Sequence, residues 1–274
     1  ADLARKSNVN VTEEFFNEDL ARKIIDEYGK ADVICGSNVF CHIEDINSVF
    51  KGLEVLLKDD GVIFFEDPYL LDIVKLASFD QIYDEHIYYF FVLFVSKLAE
   101  RNTFLFSDME HQNIHGGSMM YYLKKQGGFS SSKVNDYINE ERKFGLNEIS
   151  GLSKFKENVN RICADLKETL SVIKSQAHNI VGYGATSKST TLLNYAGIDN
   201  EYIDYICDTT PFKIGKYTPG THIPVKSHGE FLSDSPDYTL LLAWNHKKEI
   251  LEKEKEYRMK GGKFITFFPE VNIE

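Results

Sequence analysis

Asn179-Ile180-Val181-Gly182-Tyr183-Gly184-Ala185-Thr186-Ser187-Lys188-Ser189 runs from a short apolar strand through a glycine turn into a segment of helical period. Strand, tight turn and helix in that order form the opening unit of a wound α/β sheet. Outward from it the alternation continues. Residues 203–207, 238–243 and 263–267 read as strands, 187–195 and 247–257 as helices, and Thr218-Pro219-Gly220 as a turn. Upstream, 31–36 and 62–65 read as buried strands, with a further strand at 9–11. Helices are expected at 18–28, closed by Gly29, and at 47–57, closed by Lys58-Asp59-Asp60-Gly61. A helix-rich stretch should follow Asp67-Pro68 through Glu100, and then an antiparallel pair, 103–110 and 118–124, across Ile114-His115-Gly116-Gly117. The period from 134 to 178 is helical. The fold class predicted is α/β: a partial Rossmann-like sheet over residues 1–128, a helical connector over 129–178, and a second doubly wound α/β domain over 179–274.

With 274 residues, 43% of them hydrophobic, the chain can bury a sizeable core. Its 42 acidic residues against 31 basic ones argue against nucleic acid as a partner, since phosphate backbones are bound through an excess of Lys and Arg. The four cysteines, Cys35, Cys41, Cys163 and Cys207, form no Cys-x-x-Cys pair, so neither a zinc knuckle nor a disulfide framework is expected. No metal is predicted. The apolar runs are strand-length, too short to span a membrane, and the N-terminus lacks a charged region followed by an apolar core. A reducing cytoplasm fits these features.

Four places carry candidate chemistry. Tyr83-Asp84-Glu85-His86 sets a phenol, carboxylates and an imidazole within four residues, which is the inventory of a proton-transfer site. If that segment is helical, Tyr83 and His86 share a face, with Glu85 placed to orient a partner. Ser37, Asn38 and His42 follow the strand 31–36, at the carboxyl end of a sheet, where open α/β folds bind ligands. The loop 182–189 admits two readings. As a dinucleotide fingerprint it offers Gly182 and Gly184, with Ser187 in place of the third glycine and Asp208 at the end of the next strand. As a phosphate loop it offers Lys188 and Ser189. A purely structural glycine turn is the alternative to both. Asn245, after the strand ending near Trp244, either caps the next helix or touches a ligand.

Taken together, Ser37-Asn38-Val39-Phe40-Cys41-His42-Ile43-Glu44-Asp45, Tyr83-Asp84-Glu85-His86-Ile87-Tyr88-Tyr89-Phe90, Ile114-His115-Gly116-Gly117-Ser118, the run from Gly182 to Asn194, Tyr217-Thr218-Pro219-Gly220-Thr221-His222-Ile223-Pro224 and Leu241-Leu242-Ala243-Trp244-Asn245 resemble the S-adenosylmethionine-dependent sugar C-methyltransferases of deoxysugar pathways. The resemblance implies methylation of a carbon beside the ketone of a nucleotide-linked 4-keto-deoxysugar, with a thymidine diphosphate sugar as partner. It implies His86 as the base, Tyr83 and Glu85 assisting, and His42 as a further active-site histidine. Ser37 and Asn38 would contact the cofactor; apart from the resemblance, the anion-cradling character of the loop makes Gly182, Gly184, Lys188 and Ser189, with Asn245, the expected contacts of the substrate. The family's zinc module, glycine-rich cofactor loop and ribose-binding acid have no counterparts in these residues. The chain is therefore expected to be a C-terminal portion with an incomplete S-adenosylmethionine site. A non-catalytic nucleotide-sugar binding protein and a nicotinamide-dependent oxidoreductase using Gly182, Gly184 and Asp208 are the alternatives.

Overall fold

Val33, Ile34 and Cys35 pair in parallel with Val62, Ile63 and Phe64, so that two apolar runs of the sequence become neighbouring strands, β1 (Ala31–Ser37) and β2 (Leu57–Pro68). The computed structural model describes residues 1–114, 116–125 and 129–274. His115 and the boundary expected at residue 128 lie outside the described residues. The chain forms two compact units that interleave in sequence. One comprises Ala1–Pro68, Ile87–Gln112 and Met119–Glu141; the other comprises Tyr69–His86, Asn113–Ser118 and Arg142–Glu274.

In the first unit β3 (Phe104–Gln112) and β4 (Ser118–Lys125) complete a four-stranded sheet of order β1-β2-β4-β3. Its core is aromatic. Phe65 stacks on Phe40 at 4.4 Å between ring centroids and meets Tyr121 at 5.0 Å and Phe90 at 5.5 Å. Offset and edge contacts of this kind stabilise beyond the area they bury. Glu18–Tyr28 forms as expected because Asn17 caps it, its side chain accepting from the Leu20 amide at 2.9 Å. Asp45 does the same for Ile46–Leu56 through the Ser48 amide. Buried Glu141 closes the start of Val92–Arg101, its two oxygens accepting from the Val92 and Leu93 amides at 2.6 and 2.8 Å.

Two expectations fail here. Residues 9–11 form no strand: Val9 is exposed, and its amide donates back to the Ala4 carbonyl at 3.1 Å. Lys58-Asp59-Asp60-Gly61 does not turn out of the sheet but extends β2. Register slips between Ala31 opposite Leu57 and Val33 opposite Val62, which absorbs the extra residues, and Lys58 pairs with Asp32 at 2.8 Å across that irregularity.

The second unit is a wound sheet of order β10-β9-β8-β5-β6-β7, built from β5 (Ile180–Tyr183), β6 (Ile206–Asp208), β7 (Val225–Ser227), β8 (Tyr238–Leu241), β9 (Lys263–Thr266) and β10 (Asn272–Ile273). β5 to β9 run parallel, and β10 is antiparallel to β9. Alternation divides its residues between two cores. Ile180, Ile206, Leu240 and Ile265 pack on one face with Ile162, Leu166, Leu170 and Ile173 of the long helix Ile149–Ser175. Val181, Cys207, Leu241 and Phe264 pack on the other with Phe231 and Tyr257. Ala77 and Phe79 belong to the first of these cores. The helical period expected over 134–178 resolves into two helices, Ser132–Lys143 and Ile149–Ser175. None is long and apolar enough among the described residues to cross a membrane.

Candidate active site

The parallel pairing of β1 and β2 brings Ser37, Asn38, Glu66 and Asp67 to one carboxyl edge. Ser37 Oγ donates to Glu66 Oε2 at 2.6 Å, and the Asn38 amide donates to the Glu66 carbonyl at 2.8 Å. Asn38 takes a positive φ of 50°, which Asn tolerates better than most residues. The chain then turns through the short helix Phe40–His42, leaving Cys41 buried and His42 exposed. The Cys41 amide donates to Asp67 Oδ1 at 3.3 Å, and the Cys41 carbonyl accepts from the amides of Ile87 and Tyr88. Burial raises the Asp67 carboxyl to about 6, and burial together with the neighbouring Asp67 raises the Cys41 thiol. Glu66 Oε1 and Asp67 Oδ2 are buried and without a hydrogen-bond partner among the described residues. Orphaned acceptors of this kind are rare and call for a donor.

Tyr83-Asp84-Glu85-His86 lies in the second unit and is a turn rather than a helix, closed by the His86 amide donating to the Tyr83 carbonyl at 3.0 Å. The turn still places the two rings together, with centroids 4.3 Å apart, and leaves Glu85 exposed. His86 Nδ1 lies 3.1 Å from the Gln81 carbonyl. A carbonyl only accepts, so Nδ1 carries the proton and Nε2 is the basic nitrogen of the neutral ring. Gln81 is itself held. Its Nε2 donates to Ser78 Oγ at 2.9 Å, and its Oε1 accepts from Lys188 Nζ at 3.4 Å. Beside it Asp80, 1% exposed, accepts the Trp244 indole N–H at 2.6 Å on Oδ2, while Oδ1 has no partner among the described residues. Burial raises the Asp80 carboxyl to about 7 against the lowering pull of Trp244 and Lys188. Burial likewise lowers the Lys188 ammonium, whose Nζ sits 5.1 Å over the Trp244 ring.

The loop 182–189 is committed largely to its own fold. A Cβ on Gly182 would come within 2.8 Å of Leu242, and one on Gly184, where φ is 96°, within 2.7 Å of the Ala243 Cβ. The Ala185 amide donates to Asp208 Oδ2 at 2.8 Å; Thr186 and buried Ser189 form a reciprocal capping box at the start of Ser187–Ala196. Asp208 also accepts from the Thr210 amide at 2.8 Å and lies 3.5 Å from Lys213. Burial would raise this carboxyl, but the hydrogen bonds from Thr210 and Ala185 and the Lys213 charge hold it below its usual value. Each oxygen accepts one loop amide, so this carboxylate is engaged in holding its own loop. Asn245, half-buried in the turn Trp244–His246, does not cap the following helix; His246 occupies that position, with no side-chain cap.

Asp80, Gln81, Glu66 and Asp67 escape sequence reasoning as site residues. The available signal is a polar pair inside an apolar context, Phe79-Asp80-Gln81-Ile82, and a second at the end of a strand, Phe65-Glu66-Asp67. Buried polar residues in such runs need partners that sequence alone does not identify.

A family model described as the C-methyltransferase C-terminal domain matches residues 113–269, and one described as a methyltransferase domain matches residues 2–121. The C-methyltransferase NovU of Streptomyces niveus is 32% identical over 275 residues, an alignment covering 100% of this chain and 66% of that protein. The chain thus spans about two thirds of the relative's length. The crystal structure of a SAM-dependent methyltransferase from Anabaena variabilis aligns with a TM-score of 0.35 and 15% identity, covering 46% of this chain and 63% of that one.

Proposed function

Because the chain belongs to the C-methyltransferase family, we propose that it serves the C-methylation of a nucleotide-linked 4-keto-deoxysugar in the cytoplasm, with His86 as the base. The supporting observation is the bond from His86 Nδ1 to the Gln81 carbonyl, which fixes the tautomer whose Nε2 takes a proton. His86 removes the proton from the carbon beside the ketone, and the electron pair moves onto the carbonyl oxygen as an enolate. Tyr83, whose ring lies against His86, offers a phenolic proton to that oxygen. Glu85, at the same turn, keeps the local field negative and favours the imidazolium that results. S-adenosylmethionine, when bound, supplies an electrophilic methyl to the deprotonated carbon. The residues of the β1–β2 edge fit such a cationic group, because Glu66 and Asp67 carry buried oxygens without a partner among the described residues. Ser37, Asn38 and His42 would line that end of the sheet. In the second unit Lys188, which reaches Gln81, would position the sugar beside His86, with Gly182, Gly184 and Ser189 shaping the loop and Asn245 at the neighbouring turn.

The test needs only the acceptor. In deuterated water the protein should catalyse exchange of the proton beside the ketone of a thymidine diphosphate 4-keto-deoxysugar, read by mass spectrometry. His86→Gln should lower the exchange rate by about 10²–10⁴-fold. Exchange at an unchanged rate in that variant would remove His86 from the mechanism.

A further inference from the structure

The second unit holds a cavity of about 730 Å³ whose lining includes Lys75, Arg142, Lys143 and Lys154. Four cations meet there in a chain whose acidic residues outnumber its basic ones, 42 to 31. The one carboxylate in the lining, Glu148, accepts from Ser150 Oγ at 3.0 Å. Arg142, Lys143 and Lys154 form no ion pair among the described residues, and Lys75 Nζ lies 5.1 Å above the ring of Phe144. The like charges of Arg142, Lys143 and Lys154, gathered at one cleft, repel one another unless an anion joins them. Two apolar rings, Phe144 and Phe155, and the amide of Asn158 also line it. The backbone of the loop is fixed: Gly145, at φ 72°, and Gly151 pack so closely that neither position has room for a side chain.

Size and chemistry select the ligand class. A volume of 730 Å³ is that of a drug-sized ligand and far larger than a single phosphate requires. Cations suit a diphosphate, and an aromatic ring under a cation suits a planar base. The loop 182–189 is the poorer candidate for that anion, because its Ala185, Thr186 and Ser189 amides already have acceptors within the fold.

We propose that this cleft binds the nucleoside diphosphate portion of the acceptor, with Lys75, Arg142, Lys143 and Lys154 holding the diphosphate and Phe144 the base. The ligand's identity as the acceptor rests on the methyltransfer reading; the cleft as a nucleoside diphosphate site does not. Calorimetry on the chain with thymidine diphosphate, and separately with inorganic pyrophosphate, tests it. The nucleotide should bind at least tenfold tighter than pyrophosphate. The triple variant Lys75→Ala/Arg142→Ala/Lys154→Ala should weaken nucleotide binding by more than tenfold, and Phe144→Ala should weaken the nucleotide while sparing pyrophosphate. Lys255→Ala, at an exposed position outside the lining, should leave both affinities unchanged. All these side chains are solvent-exposed, and circular dichroism checks that each variant folds. Undiminished nucleotide binding in the triple variant, or equal affinity for nucleotide and pyrophosphate, overturns the proposal. Nucleotide binding lost with the cleft cations while proton exchange never occurs would leave the cleft standing and remove the methyltransfer reading. Exchange dependent on His86 with binding indifferent to the cleft would do the reverse.

Discussion

The two sheets end in carboxylates that behave in opposite ways. At the β1–β2 edge Glu66 and Asp67 are buried with one oxygen each left without a partner among the described residues, and burial lifts the Asp67 carboxyl to about 6. At the end of β6 Asp208 takes two loop amides and a nearby lysine, which hold its carboxyl below the ordinary range. One edge retains unsatisfied acceptors that a ligand donor would complete; the other has closed on itself. On the reading proposed above, the same topological position would serve binding in one sheet and architecture in the other.

The largest test of that contrast is Asp208→Ala. It strips acceptors from the Ala185 and Thr210 amides, and roughly 3 kcal/mol of stability should be lost, read by urea unfolding. A loss below about 1 kcal/mol would break the comparison from the structural side.

Asp67→Asn should act in the opposite sense. A folded value of about 6 lies above the ordinary ~3.9, so the native state holds the proton more tightly than the unfolded chain. Ionisation therefore costs stability, a cost absent below about pH 4 and complete above about pH 6. The substitution should stabilise the protein by ~1–2 kcal/mol at pH 8, fade in effect toward pH 4, and weaken S-adenosylhomocysteine binding about tenfold by calorimetry. Destabilisation at pH 8 with unchanged binding would place Asp67 with Asp208.

The smallest effect is optical. Trp244 is the one tryptophan of the chain, and its indole donates to Asp80 with Lys188 over the ring. Its fluorescence should titrate with a midpoint near pH 7, and Asp80→Asn should abolish that transition. A transition that persists would assign it to another group.

The wound sheets are legible because apolar strands and helical periods alternate plainly along the chain. The chemistry of Tyr83 to His86 is legible as composition, but its conformation is not: i and i+3 residues meet both on a helix and across a tight turn. Residues 58–61 look like a turn because Asp-Gly pairs favour one, yet pairing with β1 outweighs that preference. Asp80 stays hidden for another reason. Its partner stands 164 residues away, and no local pattern announces so distant a hydrogen bond.

The segment Tyr69–His86 folds with the second unit although it interrupts the sequence of the first. A chimaera that exchanges only the C-terminal half between homologues would thus pair a foreign Trp244 and Lys188 with a resident Asp80 and Gln81. Recombination that keeps these partners together must transplant both stretches at once, and if His86 is the base, as proposed, gene shuffling at a single crossover should yield folded but inert progeny.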